Sequence, residues 1–224
     1  LRKYLHNHVF GEIIDDIRGD KTIDQEFILK SDSIFRDWKL TDGLILALPS
    51  ANNNPLAFAA ELRVGSHYLG TDKFEHIFDV GYGYFDEWRF RGSDLQKVLR
   101  MGEFKETIIY GGAFYTSGIF AYGDLSANFN GMRFWNDVLK TKPDVMGREL
   151  EPVVTCENGT WKIEREVRIL DYVDESMNEA INCSHITQRH ARQSVQNILD
   201  SESLTCPVAG SMAALDRMKV KYGP

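Results

Sequence analysis

Two carboxylate-bearing stretches of this chain have the residue types of an acid/base site. The first ends at Glu106. Leu95, Val98, Leu99 and Gly102 recur at helical spacing, and the next turn of the same face carries Glu106. This carboxyl group therefore points where the apolar stripe points, into the protein. Glu103 lies about 60° away around the helix, further from that seam. A carboxyl at a helix C-terminus, partly withdrawn from water and near the negative dipole end, should hold its proton to higher pH than usual. A general acid working near neutrality needs that property. If the helix instead frays at Gly102, Glu106 swings into solvent and has no such role.

The second stretch is Asp72-Lys73-Phe74-Glu75-His76, followed by Asp79. Asp72 and His76 are one helical turn apart, and Asp72, Glu75 and Asp79 share a face flanking an apolar stripe. Glu75 is the carboxylate expected to oppose Glu106 across a cleft, with Glu103 and Glu87 behind it and Asp86 as a further alternative. The plainer reading is a solvated acidic face with one ion pair through Lys73. Asp72, Glu75 and His76 could also start a metal site, but no second motif completes a ligand set. Neither a metal nor another cofactor is expected.

A third constellation covers 110–128, where Tyr110, Tyr115 and Tyr122 alternate with glycines and lead into Asp124 and Asn128. Aromatic side chains with polar tips suit a platform for sugar rings or bases. Asp124 or Asn128 would then bond the substituents. The competing reading makes Phe114, Ile119 and Phe120 ordinary core and brings only the tyrosines to a surface.

Charge narrows the ligand. With 26 Lys+Arg against 33 Asp+Glu the net charge is −7, and the pI is near 5.4. A phosphate backbone needs clustered cations, so nucleic acid is disfavoured and a neutral or cationic glycan is favoured. The longest apolar runs, such as 44–48, fall far short of the roughly 20 residues that cross a bilayer, so no membrane span is expected. There is no P-loop, dinucleotide-binding glycine motif, Gly-x-Ser-x-Gly elbow or His-Glu-x-x-His. Cys183-x-His185 with His190 is a weak metal hint. Asn158-Gly159-Thr160 and Asn182-Cys183-Ser184 match a glycosylation pattern that short sequences meet by chance. Three cysteines allow at most one internal disulfide. Cys183 and Cys206, which flank a helical segment, are the favoured pair over Cys156, against the alternative of three reduced thiols.

The elements that must position these groups can be drawn from periodicity. Val9 to Ile17 reads as an amphipathic helix, and Asn52-Asn53-Asn54-Pro55 as a loop. A helix is expected from about 72 to 90, with Phe74, Ile77, Phe78, Gly81, Tyr84, Phe85 and Trp88 as its stripe and Gly81 permitting a close neighbour. A second runs from Ser93, where Ser93-x-x-Gln96 fits a capping box, to about Glu106. A third, from about 124 to 140, is capped by Asp124 and carries Leu125, Phe129, Met132, Trp135, Val138 and Leu139 on one face. Between the second and third, 107–123 suits a short strand pair or folded lip. Asn158-Gly159 predicts a hairpin between 153–156 and 160–165. A third strand could follow at 167–173, with helix again over 175–222.

A helix ending in Glu106, a Gly-rich extended lip and a helix opening at Gly123-Asp124-Leu125 together resemble the catalytic core of the lysozyme superfamily, which includes goose-type lysozymes, lytic transglycosylases and chitosanases. Asp72-Lys73-Phe74-Glu75-His76 with 122–128 looks most like the diverged lysozymes of periplasmic bacterial predators. The resemblance implies a mainly α fold with a small β lip and a C-terminal β-hairpin (α+β), built on a lysozyme-like helical core. It implies one catalytic domain over 1–224, with its core at about 60–140 and a C-terminal elaboration at about 150–224. It further implies a secreted or periplasmic monomer that cleaves deacetylated peptidoglycan with two glutamates, here Glu106 and Glu75. Where lytic transglycosylases carry Glu-Ser and Gly-Leu-Met-Gln, this chain has Glu106-Thr107 and Gly123-Asp124-Leu125. A glycan bearing free amines would suit an acidic groove. The alternative from a different class is a non-catalytic envelope protein that binds glycan or protein through the same lip.

Overall fold

A computed structural model of the chain describes residues 2–13, 61–70, 72–110, 119–139, 142–178, 184–187, 189–205 and 211–222. Among these residues it is mostly helical with three small antiparallel strand pairs. Helix α1 covers 2–13, which includes the described part of the helix expected near the N-terminus. The Asn52 to Pro55 loop lies outside the described residues.

Helix α2 covers 72–89 and helix α3 runs from Leu95 to Lys105, with its winding continued over Glu106–Tyr110. The expected stripe of α2 is its buried face: Phe74, Ile77, Phe78, Gly81, Tyr84, Phe85 and Trp88 are all in the interior. The helix widens to π-type winding at His76–Val80, where the Gly81 N–H donates to the His76 carbonyl, and α3 does so at Glu106–Tyr110. Such wide turns shift the side chains that follow and are frequent at functional sites. In α2 the Phe78 carbonyl within the wide turn accepts from the Trp135 indole N–H at 3.0 Å.

The start of α3 differs from the expected capping box. Asp94 is the N-cap, its carboxylate accepting from the Lys97 N–H at 2.7 Å, while the Ser93 hydroxyl donates to Glu87 at 2.5 Å. Asp is as good an N-cap as Ser, and the extended backbone falls one residue later.

Helix α4 spans Tyr122–Leu139 and is the centre of the molecule. Its expected apolar face is only part of what it buries. Asn128, Asn130, Arg133, Asn136 and Asp137 are interior too, because each has a partner that satisfies it. Arg133 forms a bidentate pair with Asp144 at 2.9 and 2.8 Å, and Asn136 exchanges two hydrogen bonds with the Lys142 backbone. Asp137 takes bonds from Tyr172 and Arg165. Asp124 is not the cap of α4. The helix begins two residues earlier, and Asp124 lies within its first turn.

The strands are short. β1 (Glu61–Val64) and β2 (His67–Gly70) form a hairpin that periodicity does not disclose. β3 (Ile119–Phe120) pairs with β6 (His185–Ile186), a connection across more than sixty residues, while 111–118, the middle of the expected strand pair or lip, lie outside the described residues. β4 (Val154–Glu157) and β5 (Thr160–Ile163) form the predicted hairpin, with Asn158 and Gly159 at φ 51° and 78°. The expected strand over 167–173 is instead largely irregular, with a 3₁₀ turn at Ile169–Asp171 that lowers Tyr172 and Val173 into the core.

Among the described residues beyond 175 the chain is helical only in parts. A 3₁₀ turn at Glu175–Met177 and strand β6 precede helices α5 (Arg189–Ser201) and α6 (Ser211–Tyr222). Ile119, Ala121, Ile186, Val195 and Leu199 form a small second core where β3, β6 and α5 meet. α6 is tied down by Tyr222, whose hydroxyl donates to Asp174 at 2.5 Å, and by Lys221 on the same carboxylate. Cys156 is exposed with a free thiol, whereas Cys183 and Cys206 lie outside the described residues. Among the described residues no helix is long and apolar enough to cross a membrane.

Candidate functional site

The stripe on α3 delivers Glu106 into the protein, where it is 1% exposed. Its Oε1 accepts from the Ala121 N–H at 3.3 Å, and its buried Oε2 has no partner among the described residues. Burial, and then the negative charge of Asp124, raise its pKa from 4.5. His76, the Ala121 N–H and Lys73 pull the other way, and the balance lies at about 8. Glu106 is therefore a neutral carboxylic acid at neutral pH.

The expected acidic face of α2 is not solvated at Lys73. Its side chain is 1% exposed, and its ammonium donates to Asp72 Oδ2 at 2.7 Å and to Asp124 Oδ1. Two carboxylates compensate the buried charge, one of them 51 residues away in sequence. His76 Nε2 lies 3.2 Å from Asp124 Oδ2, and its Nδ1 lies 2.9 Å from Asn128 Oδ1. Burial disfavours the imidazolium, but the Asp124 carboxylate more than offsets it and lifts His76 to about 9. The ring is then a double donor, to Asp124 on one side and Asn128 on the other. Asn128 passes the chain on, its amide N–H donating to the Tyr84 hydroxyl at 3.4 Å. Asp124 is pushed up by its own burial, yet His76 and Lys73 hold it well below the usual carboxylate range.

Asp72, His76 and Asp124 place one ligand atom each within 4.8 Å of one another, which is cation-site spacing. The Lys73 ammonium already bonds both carboxylates of that set. Glu75, the third residue of the metal alternative that starts from Asp72 and His76, is not a member of this set.

A groove of about 650 Å³ runs beside this network. Its lining includes Tyr84, Arg100, Glu103, Thr107, Phe120 and Tyr122. Glu106 is not part of this lining, but Thr107, which follows it in the chain, is, and Ala121, which bonds it, lies between Phe120 and Tyr122. Tyr122 is 48% exposed and meets the Phe120 ring edge-on at 5.3 Å. Ile119 is core, as the competing reading has it, but Phe120 reaches the groove.

The sequence-derived candidates thus separate. Asp124 and Asn128 meet in one network through His76, Glu106 is buried and bonded by the Ala121 N–H three residues before Asp124, and Tyr122 lines the groove. Glu103 lines that groove, and Glu75 is half-buried on the same turn of α2 as His76. Glu87 is held ionised at the α2–α3 corner by Ser93, with Lys97 and Arg91 nearby. Tyr110 ends the wide turn of α3, and Tyr115 lies outside the described residues. Sequence reasoning missed Lys73 as a buried group. The signal available was its place next to Phe74 and one turn before Ile77, at the edge of the stripe.

No family model, curated protein or solved structure matches this chain.

Proposed function

We propose that this protein is a glycoside hydrolase of the lysozyme type, cleaving cell-wall peptidoglycan in a deacetylated, glucosamine-containing form. The observation that carries the reading is a buried carboxyl group, its pKa raised to about 8, that is bonded by the Ala121 N–H between Phe120 and Tyr122, two aromatic residues that line a groove. Glycoside hydrolysis needs a protonated carboxyl to assist the leaving oxygen and a second carboxylate to act on the other side of the bond. Glu106 is the acid. Glu75 is the second group expected from sequence, and Glu103 is the carboxylate that lines the groove. Phe120 and Tyr122 offer ring faces and edges to a sugar, and Glu103 and Arg100 offer an acceptor and a donor to its substituents. Such a substrate places the protein in the periplasm or outside the cell, as a lysozyme-like core would.

The near-complete burial of Glu106 favours one other reading, in which the groove binds glycan without cleaving it and the acid is structural. Release of reducing ends from cell-wall preparations, before and after deacetylation, separates the two. Glu106→Gln is expected to lower the rate about 100-fold or more while leaving sedimentation with the wall material intact. Undiminished release would remove Glu106 from the chemistry, and binding without any release by the unaltered protein would favour the non-catalytic reading. Glu75→Gln and Glu103→Gln assayed alongside assign the second carboxylate.

A further inference from the structure

The short β3–β6 pair has two faces, and only one of them is core. Residues directly opposite in an antiparallel pair project on the same side of the ribbon, and neighbours along each strand alternate. Ile119 stands opposite Ile186, and Phe120 stands opposite His185. Ile119 and Ile186 are buried in the second core with Ala121, where Val195 and Leu199 of α5 pack against them. Phe120 and His185 take the other face, and both line the groove, as do Tyr122 and Thr187, the next alternate residue along each segment. The groove is thus bounded by Arg100 and Glu103 of α3 and by a ribbon whose second strand comes from the C-terminal part of the chain. Ser184 and Ile186 are buried on either side of His185, which is itself exposed, so its neighbours anchor the imidazole at the groove. Among the described residues His185 belongs to no cluster with cation-site spacing.

We propose that the β3–β6 ribbon is a ligand-binding wall of the groove and that His185 is a glycan-contacting residue on it, bonding a sugar hydroxyl beside the Phe120 ring. The proposal rests on the glycan reading of the groove, which the hydrolase and the non-catalytic alternative share, and adds a contact from the C-terminal segment. A sugar presents apolar C–H patches edged by hydroxyls that both donate and accept, so its site pairs an aromatic surface with a few placed polar groups. Phe120 supplies the surface, and the His185 imidazole and Thr187 hydroxyl supply the polar groups. The same ribbon bears on the buried acid, because Ala121 shares the second core with Ile186 and gives its N–H to Glu106.

Calorimetric titration of the full chain with a peptide-free hexasaccharide of deacetylated peptidoglycan tests this, repeated in Glu106→Gln so that cleavage does not consume the ligand. His185→Ala should weaken binding roughly two- to tenfold, the loss of one hydrogen bond between neutral groups. His185→Gln keeps a donor and an acceptor and should recover most of that loss. Proton NMR reads the contact itself. The His185 ring Cε1–H resonance, assigned by its absence in His185→Ala, should move as the hexasaccharide is added. Unchanged affinity in His185→Ala, or a ring resonance that stays in place at saturation, overturns the proposal. If Tyr122→Ala weakens binding under those same conditions, only the His185 contact is lost and the glycan groove stands. A hexasaccharide that does not bind the unaltered protein overturns both.

Discussion

Gly81 of α2 and Gly131 of α4 meet backbone to backbone: a Cβ on Gly81 would lie 2.6 Å from the Gly131 Cα. This crossing fixes the register of the two helices that carry the buried network. Lys73 and His76 lie N-terminal to it on α2, and Asp124 and Asn128 lie N-terminal to it on α4. The hydrogen bonds among them depend on the helix axes staying this close. Periodicity places Gly81 in the stripe, and its lack of a side chain is what the packing uses.

Substitution at the crossing should therefore cost stability in a position-specific way. In Gly131→Ala the new methyl would meet the backbone of Ile77 and Gly81, which cannot yield as a flexible side chain can. A loss of about 1–3 kcal/mol or more is expected from overpacking. Gly83→Ala on the same α2 helix meets nothing within 4 Å and should be neutral or gain up to about 1 kcal/mol from helix propensity. Urea unfolding of the two variants compares them directly, and equal effects would disprove the close crossing.

The buried acid also makes stability depend on pH. Glu106 is raised to about 8 from 4.5, so its contribution is fully present below about pH 4.5 and is lost as pH rises towards 8. His76, at about 9 against 6.5, contributes below 6.5 and loses that contribution as pH rises to about 9. Asp124 works the opposite way, its contribution lost on acidification below the usual carboxylate range. Stability should therefore fall from about pH 5 to 8, by at most about 1.4 kcal/mol per pH unit for each titrating group. Glu106→Gln should remove the decline between about pH 5 and 6.5 and make the decline from 6.5 to 8 shallower, leaving there the part that belongs to His76. Denaturant titrations of both proteins across that range would expose an identical slope if Glu106 were ionised throughout.

Lys73 is the cation on which the network depends. Lys73→Met would leave Asp124 buried with His76 as its remaining cationic partner, and a loss of about 3–5 kcal/mol is expected. Because the ammonium bonds two of the three groups that could hold a cation, exhaustive dialysis against a chelator should leave the melting temperature of the unaltered protein unchanged. A drop in melting temperature on chelation, reversed by a divalent ion, would show that the site holds metal in solution.

The parts of this arrangement that were legible in the sequence are those that follow from local repetition. The α2 stripe, the burial of Glu106 and the Asn158-Gly159 hairpin each depend on residues within a few turns of one another. What was not legible depends on partners far along the chain. Lys73 reads as a surface ion pair until Asp124 arrives from α4, and Asn130, Arg133, Asn136 and Asp137, which are not in the expected apolar stripe, are buried because Tyr222, Asp144, Lys142 and Tyr172 satisfy them. Asp124 resembles an N-cap because Asp favours that position. The β3–β6 pair joins two segments that carry no mutual signal, since two-residue strands have no measurable period.

The groove yields the prediction that bears most directly on substrate. Tyr122 projects from the first turn of α4 and packs edge-on against Phe120, half in water. Its removal leaves no buried polar group unpaired and opens no enclosed cavity, so Tyr122→Ala should change stability by less than about 0.5 kcal/mol. A ring that stacks on or edges a sugar is worth about 1–3 kcal/mol in comparable aromatic platforms, so glycan affinity should fall by roughly five- to 100-fold. If Glu106 is the acid, the loss should fall on KM more than on kcat, because the tyrosine holds the glycan in both the ground state and the transition state. Tyr122→Phe should retain most of the affinity if the ring face matters, and should behave like the alanine variant if the hydroxyl is the contact. Glycan binding and cleavage that are indifferent to Tyr122 would move the binding surface away from this groove altogether.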